Sequence, residues 1–321
     1  MITCFYFKNN HLKSGGLPGT EPAAPLVWVD LLNPEPAEIE KMDKMLRLNL
    51  PTQEEMREIE TSSRLYEEDG AHYMTMTYVS NALGDLPETT PLTFVLKDHM
   101  LVTMRYKEMR FLSHMISKAE ARGGIVYKTG PGIMIMILEN ITDICADVLE
   151  KNNTEIESIS RRIFGEDKKS REYKKSLEQI AKIGETNSKI RESLVSLSRL
   201  QAFLHHALDR VKAAKDSVAK LRTLSADIHS LLDHAAFVSG KINFILDATL
   251  GLVNIEQNGI IKIFSVAAVI FLPPTLIASI YGMNFHHMPE LDWSMGYPMA
   301  VGMMIVSAIL PYLYFKHKDW L

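Results

Sequence analysis

The chain has 321 residues, 46% of them hydrophobic, and carries 35 Lys and Arg against 39 Asp and Glu, a formal net charge of −4. That composition belongs to one large or two ordinary folded domains, and without a basic excess to neutralise phosphates it argues against a nucleic-acid binder. Cys4 and Cys145 alone rule out a disulfide framework and a cysteine-rich zinc module, and they suit a reducing compartment, so the bulk of the chain is expected in the cytosol.

The first hundred residues alternate β-type runs with helix signals. Leu26-Val27-Trp28-Val29-Asp30 reads as a strand, and Asn33 ahead of Pro34-Glu35-Pro36-Ala37-Glu38 reads as a helix cap. Thr93 to Leu96 and Met100 to Met104, apolar and β-prone around the polar Lys97-Asp98-His99, read as a hairpin. Residues 1–130 are therefore expected to form an α/β cytoplasmic domain. No proline occurs from Gly132 to Leu272, and helix formers dominate. Long helices and a stalk are expected over 131–258, with breaks near Gly165 and around Ser225 and with Gly240, Gly251 and Gly259 tolerated. A helix running from about Ser230 into a membrane would be roughly 75 Å long and would couple the two regions mechanically. The basic run from Arg161 to Lys175, interleaved with Glu166, Asp167 and Glu172, reads as a solvated face.

A mean hydropathy near zero hides a sharp change at the C-terminal end. Ile263 to Pro289 contains no Asp, Glu, Lys or Arg, and after Glu290 and Asp292 a second uncharged stretch runs from Trp293 to Phe315. Such stretches are long enough to cross hydrocarbon, whereas buried helices of soluble domains seldom go so far without charge. A transmembrane domain is expected over 259–321, with spans at about 260–281 and 297–315 joined by an outer loop, 282–296. Lys262 precedes the first span, Lys316 and Lys318 follow the second, and the loop has no basic residue, which places both termini in the cytosol. The N-terminus lacks a secretory pattern, so insertion is expected to depend on the C-terminal spans.

Along the first span Asn258, Ile261, Ser265, Ala268, Leu272, Thr275 and Ser279 recur at spacings of three and four, a heptad seam. Small and hydroxylated side chains on one face of a membrane helix either let helices approach closely or line a wet path. Asn258 favours the path, because an amide can replace part of an ion's hydration shell. Two spans cannot enclose a channel, so a path calls for a cyclic homo-oligomer. Pro273-Pro274 removes two backbone donors and should bend the span or loosen its ladder. Glu290 and Asp292, repeated around a ring, would concentrate cations at the outer mouth.

The first span ends in Tyr281-Gly282-Met283-Asn284-Phe285, followed by Met288-Pro289-Glu290-Leu291 and, past the second span, Tyr312-Leu313-Tyr314-Phe315-Lys316. This pattern resembles the CorA family of magnesium transporters, whose mark is Gly-Met-Asn at this place. The resemblance is close over about Asn254 to Leu321 and holds only in outline upstream. It implies a funnel-shaped homopentamer in the inner membrane, with the first span lining a pore and Gly282, Met283 and Asn284 forming the selectivity loop. It also implies pore contacts at Asn258 and Thr275, and an apolar gate at Ile261, Phe264 or Leu272. Mg²⁺ is then both cargo and regulatory ion, with Co²⁺ and Ni²⁺ as further cargo, and the regulatory site draws on Asp227 or Asp233 with Asp85.

His286 and His287 stand where the family commonly has acidic or aromatic residues, and imidazole prefers Zn²⁺, Co²⁺ or Ni²⁺; a zinc or cobalt transporter of the same fold is the alternative. No motif of an enzyme or an organic cofactor is found, and Ser239-Gly240-Lys241 lacks the upstream glycine of a phosphate loop. A membrane-anchored sensor or scaffold is the rival of another class.

Overall fold

The computed structural model describes all residues but 9–10, 18–24, 83, 85–86, 122–128, 166–172, 211–214, 285 and 319–321. The chain forms two units, Met1–Ile245 and Leu246–Leu321.

The first unit is built on a seven-stranded sheet of order β2-β1-β3-β7-β6-β5-β4. Its strands are β1 (Ile2–Lys8), β2 (His11–Gly15), β3 (Leu26–Leu32), β4 (Leu65–Glu68), β5 (Ala71–Ser80), β6 (Glu88–Lys97) and β7 (Met100–Arg105). Every neighbouring pair is antiparallel except β3 with β7, which is parallel. The expected hairpin is β6–β7, with Lys97 opposite Met100 and Asp98 in the left-handed region at φ 52°.

Successive side chains on a strand point to opposite faces. Trp28, Phe94, Leu96 and Leu101 enter one core with Met74 and Met76, while Val29, Leu31, Val95, Val102 and Met104 enter the other. Both faces are covered, which is why the strands read as apolar runs and not as alternation. Helix α1 (Pro36–Leu46) supplies Met42 to the second core. The cap of α1 corrects the expectation. Pro36 sits in its first turn, Glu35 is the N-cap, and the Glu38 carboxylate accepts from the Glu35 N–H at 3.0 Å. Asn33, which precedes Pro34 and is therefore discouraged from helical dihedrals, is left-handed at φ 45°.

A short helix α2 (Thr61–Arg64) precedes β4, and α3 (Arg110–Ala121) follows β7. The first core is completed by α4 (Gly130–Phe164), α5 (Tyr173–Arg210) and the start of α6 (Lys215–Tyr281), through Ile133, Ile190, Leu221 and Ile228 among others. Helix α4 ends at Gly165, as expected. The break expected around Ser225 does not occur, since α6 (Lys215–Tyr281) runs through it. Leu221, Leu224 and Ile228 are buried at helical spacing, and that apolar face holds Ser225 in the helix. Asn187 of α5 donates to the Ala235 carbonyl at 3.0 Å and to Ser239 Oγ at 2.8 Å. Lys241 reaches Asn153 Oδ1 and Glu157 Oε1 of α4 at 3.0 and 2.9 Å.

A polar chain is buried beneath the β3–β7 pair. Trp28 Nε1 donates to Thr103 Oγ1 at 2.9 Å, Thr103 donates to Asp30 Oδ1 at 2.7 Å, and Arg105 Nη2 donates to Asp30 Oδ2 at 2.7 Å. Both charged side chains are 5% exposed. Removing one partner leaves an uncompensated buried charge, which costs about 3–5 kcal/mol. Asp30→Ala is expected to lower the thermal unfolding midpoint of the purified chain sharply, and Asp30→Leu combined with Arg105→Met to lower it less.

Cys4 and Cys145 are both buried, and burial pushes their thiols up, that of Cys145 to about 12. A thiol so raised stays protonated at neutral pH and is unreactive. Mass spectrometry after maleimide treatment is expected to find neither modified in the folded protein and both modified in denaturant.

Candidate ion path

In the second unit the backbone of α6 continues as helix through Pro273 and Pro274 to Tyr281. Thr275, two residues past the first of these prolines, donates its hydroxyl to the Phe271 carbonyl at 2.7 Å. Gly282 follows, its N–H on the Ala278 carbonyl at 2.9 Å. A Cβ at 282 would stand 3.0 Å from that oxygen, so glycine is the side chain that lets the chain leave the helix here without displacing its last turn. Met283 and Asn284 come next, both exposed. A short 3-10 turn, Pro289–Leu291, then leads to α7 (Gly296–His317). A Cβ on Gly296 would lie 2.1 Å from the Glu290 carbonyl oxygen, so this glycine allows the loop to close on the start of α7.

Both helices are long and apolar enough to cross a membrane, and little of either apolar window is buried. Tyr297 at the start of α7 and Tyr312 and Tyr314 near its end are exposed. They are separated by about 25 Å along the helix, the spacing of the aromatic belts at the two faces of a bilayer.

The seven seam positions, Asn258, Ile261, Ser265, Ala268, Leu272, Thr275 and Ser279, are all exposed. Along the span the less exposed positions are Lys262, Val266, Ala267, Ile270, Pro273, Pro274 and Ile277, with Val266 only 3% exposed. At 3.6 residues per turn the centre of the seam lies about 150° round the helix from the centre of the covered face. The heptad therefore lies within the free side of α6, together with Phe264, Val269, Phe271 and Leu276. Phe264, beside the seam, is 72% exposed, against 54% for Ile261 and 65% for Leu272. Glu290 and Asp292 are exposed in the loop, as are His286 and His287.

The same spacing continues upstream. Asn254, Gly251 and Asp247 precede Asn258 by four, seven and eleven residues, and Phe244, Gly240 and Phe237 carry the pattern into the part of α6 that belongs to the first unit; all six are exposed. Sequence reasoning stopped at Asn258 because it followed the hydropathy of the span. Extending the three-and-four spacing past Lys262 would have found an acidic and an amide position.

Of the regulatory candidates, Asp227 lines a cavity of about 260 Å³ with Glu139, Thr142 and Asp143 of α4 and Lys220 and Thr223 of α6. Asp233 is exposed on the seam phase, about 120° round the helix from Asp227, so within one chain the two face different ways. Asp85 lies outside the described residues. No three His, Cys, Asp or Glu side chains converge to hold a metal among the described residues. His205 and His206 have ring centroids 6.3 Å apart on α5.

The Asp143 carboxyl is raised above its ordinary range by burial, then by the charges of Asp147 and Asp227. A carboxyl raised by folding destabilises the fold as it ionises, from the unfolded value up through the folded one. Asp143→Asn is expected to raise the unfolding midpoint at neutral pH in chelator and to leave it unchanged well below the carboxylate range.

A mixed sheet covered by long helices, followed by two apolar helices around a Gly-Met-Asn turn, defines a two-span membrane transporter. A family model described as CorA-like Mg²⁺ transporter protein matches residues 23–317. The chain is 36% identical to the magnesium transport protein CorA of Yersinia pseudotuberculosis serotype I (strain IP32953) over 323 residues, all of both chains. It is 35% identical to the protein of that name from Escherichia coli (strain K12) over 322 residues, again all of both. Among solved structures, the complete CorA magnesium transporter from Methanocaldococcus jannaschii matches with a TM-score of 0.74 at 21% identity, covering 100% of this chain and 99% of that one. The chain belongs to the CorA-like Mg²⁺ transporter family.

Proposed function

We propose that the chain assembles as a cyclic homopentamer in the inner membrane and conducts Mg²⁺ passively inward along the α6 seam, with both termini in the cytosol. The observation that carries this reading is the exposed heptad of small, hydroxyl and amide side chains, which ends at Gly282, Met283 and Asn284. A lone pair of spans cannot hide such a face, and copies of it arranged around an axis make a continuous lining.

Mg²⁺ sheds water reluctantly, so a ring of Asn284 side chains suits it as a hydrated ion, with the Asn258 amide and Thr275 oxygen offering further contacts along the path. Glu290 and Asp292 raise the local cation concentration at the outer mouth, and Asp247 continues the negative field at the inner one. Ile261, Phe264 and Leu272 supply an apolar constriction that closes by dewetting. A potential negative inside contributes about 2.3 kcal/mol per charge per 100 mV, and twice that for a divalent ion, so ATP is not required. Cytosolic Mg²⁺ acting at the acidic groove of Asp143 and Asp227 would hold the closed state and relieve the like-charge repulsion there; partner carboxylates would come from a neighbouring subunit.

The test is Mg²⁺ uptake into liposomes under an imposed inside-negative potential. Wild type is expected to take up Mg²⁺ in proportion to the potential, and Asn284→Ala to lose uptake while keeping its oligomeric mass in light scattering. Intact uptake in Asn284→Ala would leave the anchored-sensor reading. Uptake of Zn²⁺ without Mg²⁺ would bring His286 and His287 into the path.

A further inference from the structure

Pro273-Pro274 stands in the middle of the first span, between Leu272 and Thr275 of the seam, and the helix of α6 runs on through it. Proline has no N–H, so the carbonyls four residues back, those of Val269 and Ile270, lose the donors that a helix would give them. Each proline also disfavours helical dihedrals in the residue before it, which here means Leu272 and Pro273.

Neighbouring hydroxyls go elsewhere. That of Thr275 donates to the Phe271 carbonyl at 2.7 Å, and a back-bond of this kind opens a helix slightly. That of Ser307, in the middle of α7, donates to the Met304 carbonyl of its own helix at 2.9 Å. From Lys215 to Leu272 α6 contains no proline, and none follows from Thr275 to Tyr281, so on either side every N–H is available to the ladder. That ladder stiffens a helix along its axis, and kinks concentrate where it is interrupted. The turn from Val269 to Thr275 is therefore the weakest of the span.

It divides the seam into two groups. Asn258, Ile261, Ser265 and Ala268, with Phe264 beside them, lie before it and belong to the unbroken helix that begins at Lys215. Thr275, Ser279 and the Gly282-Met283-Asn284 turn lie beyond it. We propose that this turn is a mechanical break: motion of the cytosolic part of α6 is carried to Ile261 and Phe264 and absorbed between Val269 and Thr275. The path then opens and closes at its inner end while the selectivity end keeps one geometry. The inference rests on the proposed conduction along the seam and its control by cytosolic Mg²⁺, and it narrows the gate to Ile261 and Phe264, because Leu272 lies inside the break. A filter that holds Mg²⁺ by its retained waters needs a fixed ring of donors and acceptors, which an unbroken rod joined to a moving stalk would distort.

Spin labels on single cysteines at Ile263, before the break, and at Ile280, beyond it, test this in the full-length protein in liposomes. Both positions are exposed, and both native thiols are buried. Distances between labels on neighbouring copies are compared in saturating free Mg²⁺ and in chelator. The inner label is expected to shift by about 2 Å or more and the outer label to stay in place. Pro273→Ala combined with Pro274→Ala, which restores both donors, is expected to carry the shift to the outer label with the oligomeric mass unchanged in light scattering, and Pro274→Ala alone to carry part of it. Equal shifts at the two labels with the prolines present, or a still outer label once they are replaced, would overturn the break and leave the Mg²⁺-controlled path standing. No shift at either label would overturn the cytosolic control itself, and the inference with it.

Discussion

Hydrocarbon offers no partner to a hydroxyl or an amide, and a pair of helices offers only one shared face on which to hide them. In this chain the covered face of α6 is apolar past Lys262, and Asn258, Ser265, Thr275 and Ser279 stand on the other. The proposed assembly follows from that constraint. In the proposed assembly other copies close around this seam and water fills the space within.

The first unit supplies the rigidity such an arrangement needs. Both faces of its sheet are buried, its central parallel pair is tied by the Trp28–Thr103–Asp30–Arg105 chain, and the early turns of α6 are held by Asn187, Gln201 and Lys241 through hydrogen bonds. The acidic groove at Asp143 and Asp227 lies on those same turns of α6. In the proposed function a change of charge there acts on the helix that carries the seam, so one element would be biased by two sites.

Local signals were legible where they were strong. The uncharged stretches, the β6–β7 hairpin and the end of α4 at Gly165 could be read directly, because hydropathy and turn chemistry are short-range properties. Elements set by tertiary packing were not. Ser225 looked like a break because a polar stretch suggests one, yet Leu221, Leu224 and Ile228 bury a face that carries the helix through. Asn33 looked like a cap, but the proline after it moves the helix start to Pro36. The sheet order, with β3 beside β7 across the intervening β4, β5 and β6, depends on contacts between residues distant in the chain. Asp247 and Asn254 were legible in spacing and were passed over because charge, not periodicity, marked the edge of the span.

The proposed path requires the α6 seam to face water and its opposite face not to. With both native thiols buried, single cysteines at Ser265, Ala268 and Thr275 on the seam and at Val266, Ile270 and Ile277 on the covered face can be probed one at a time with a small charged methanethiosulfonate in liposomes. The three seam cysteines are expected to be modified and the other three not. Equal labelling of the two sets, or labelling of the covered face alone, would contradict it.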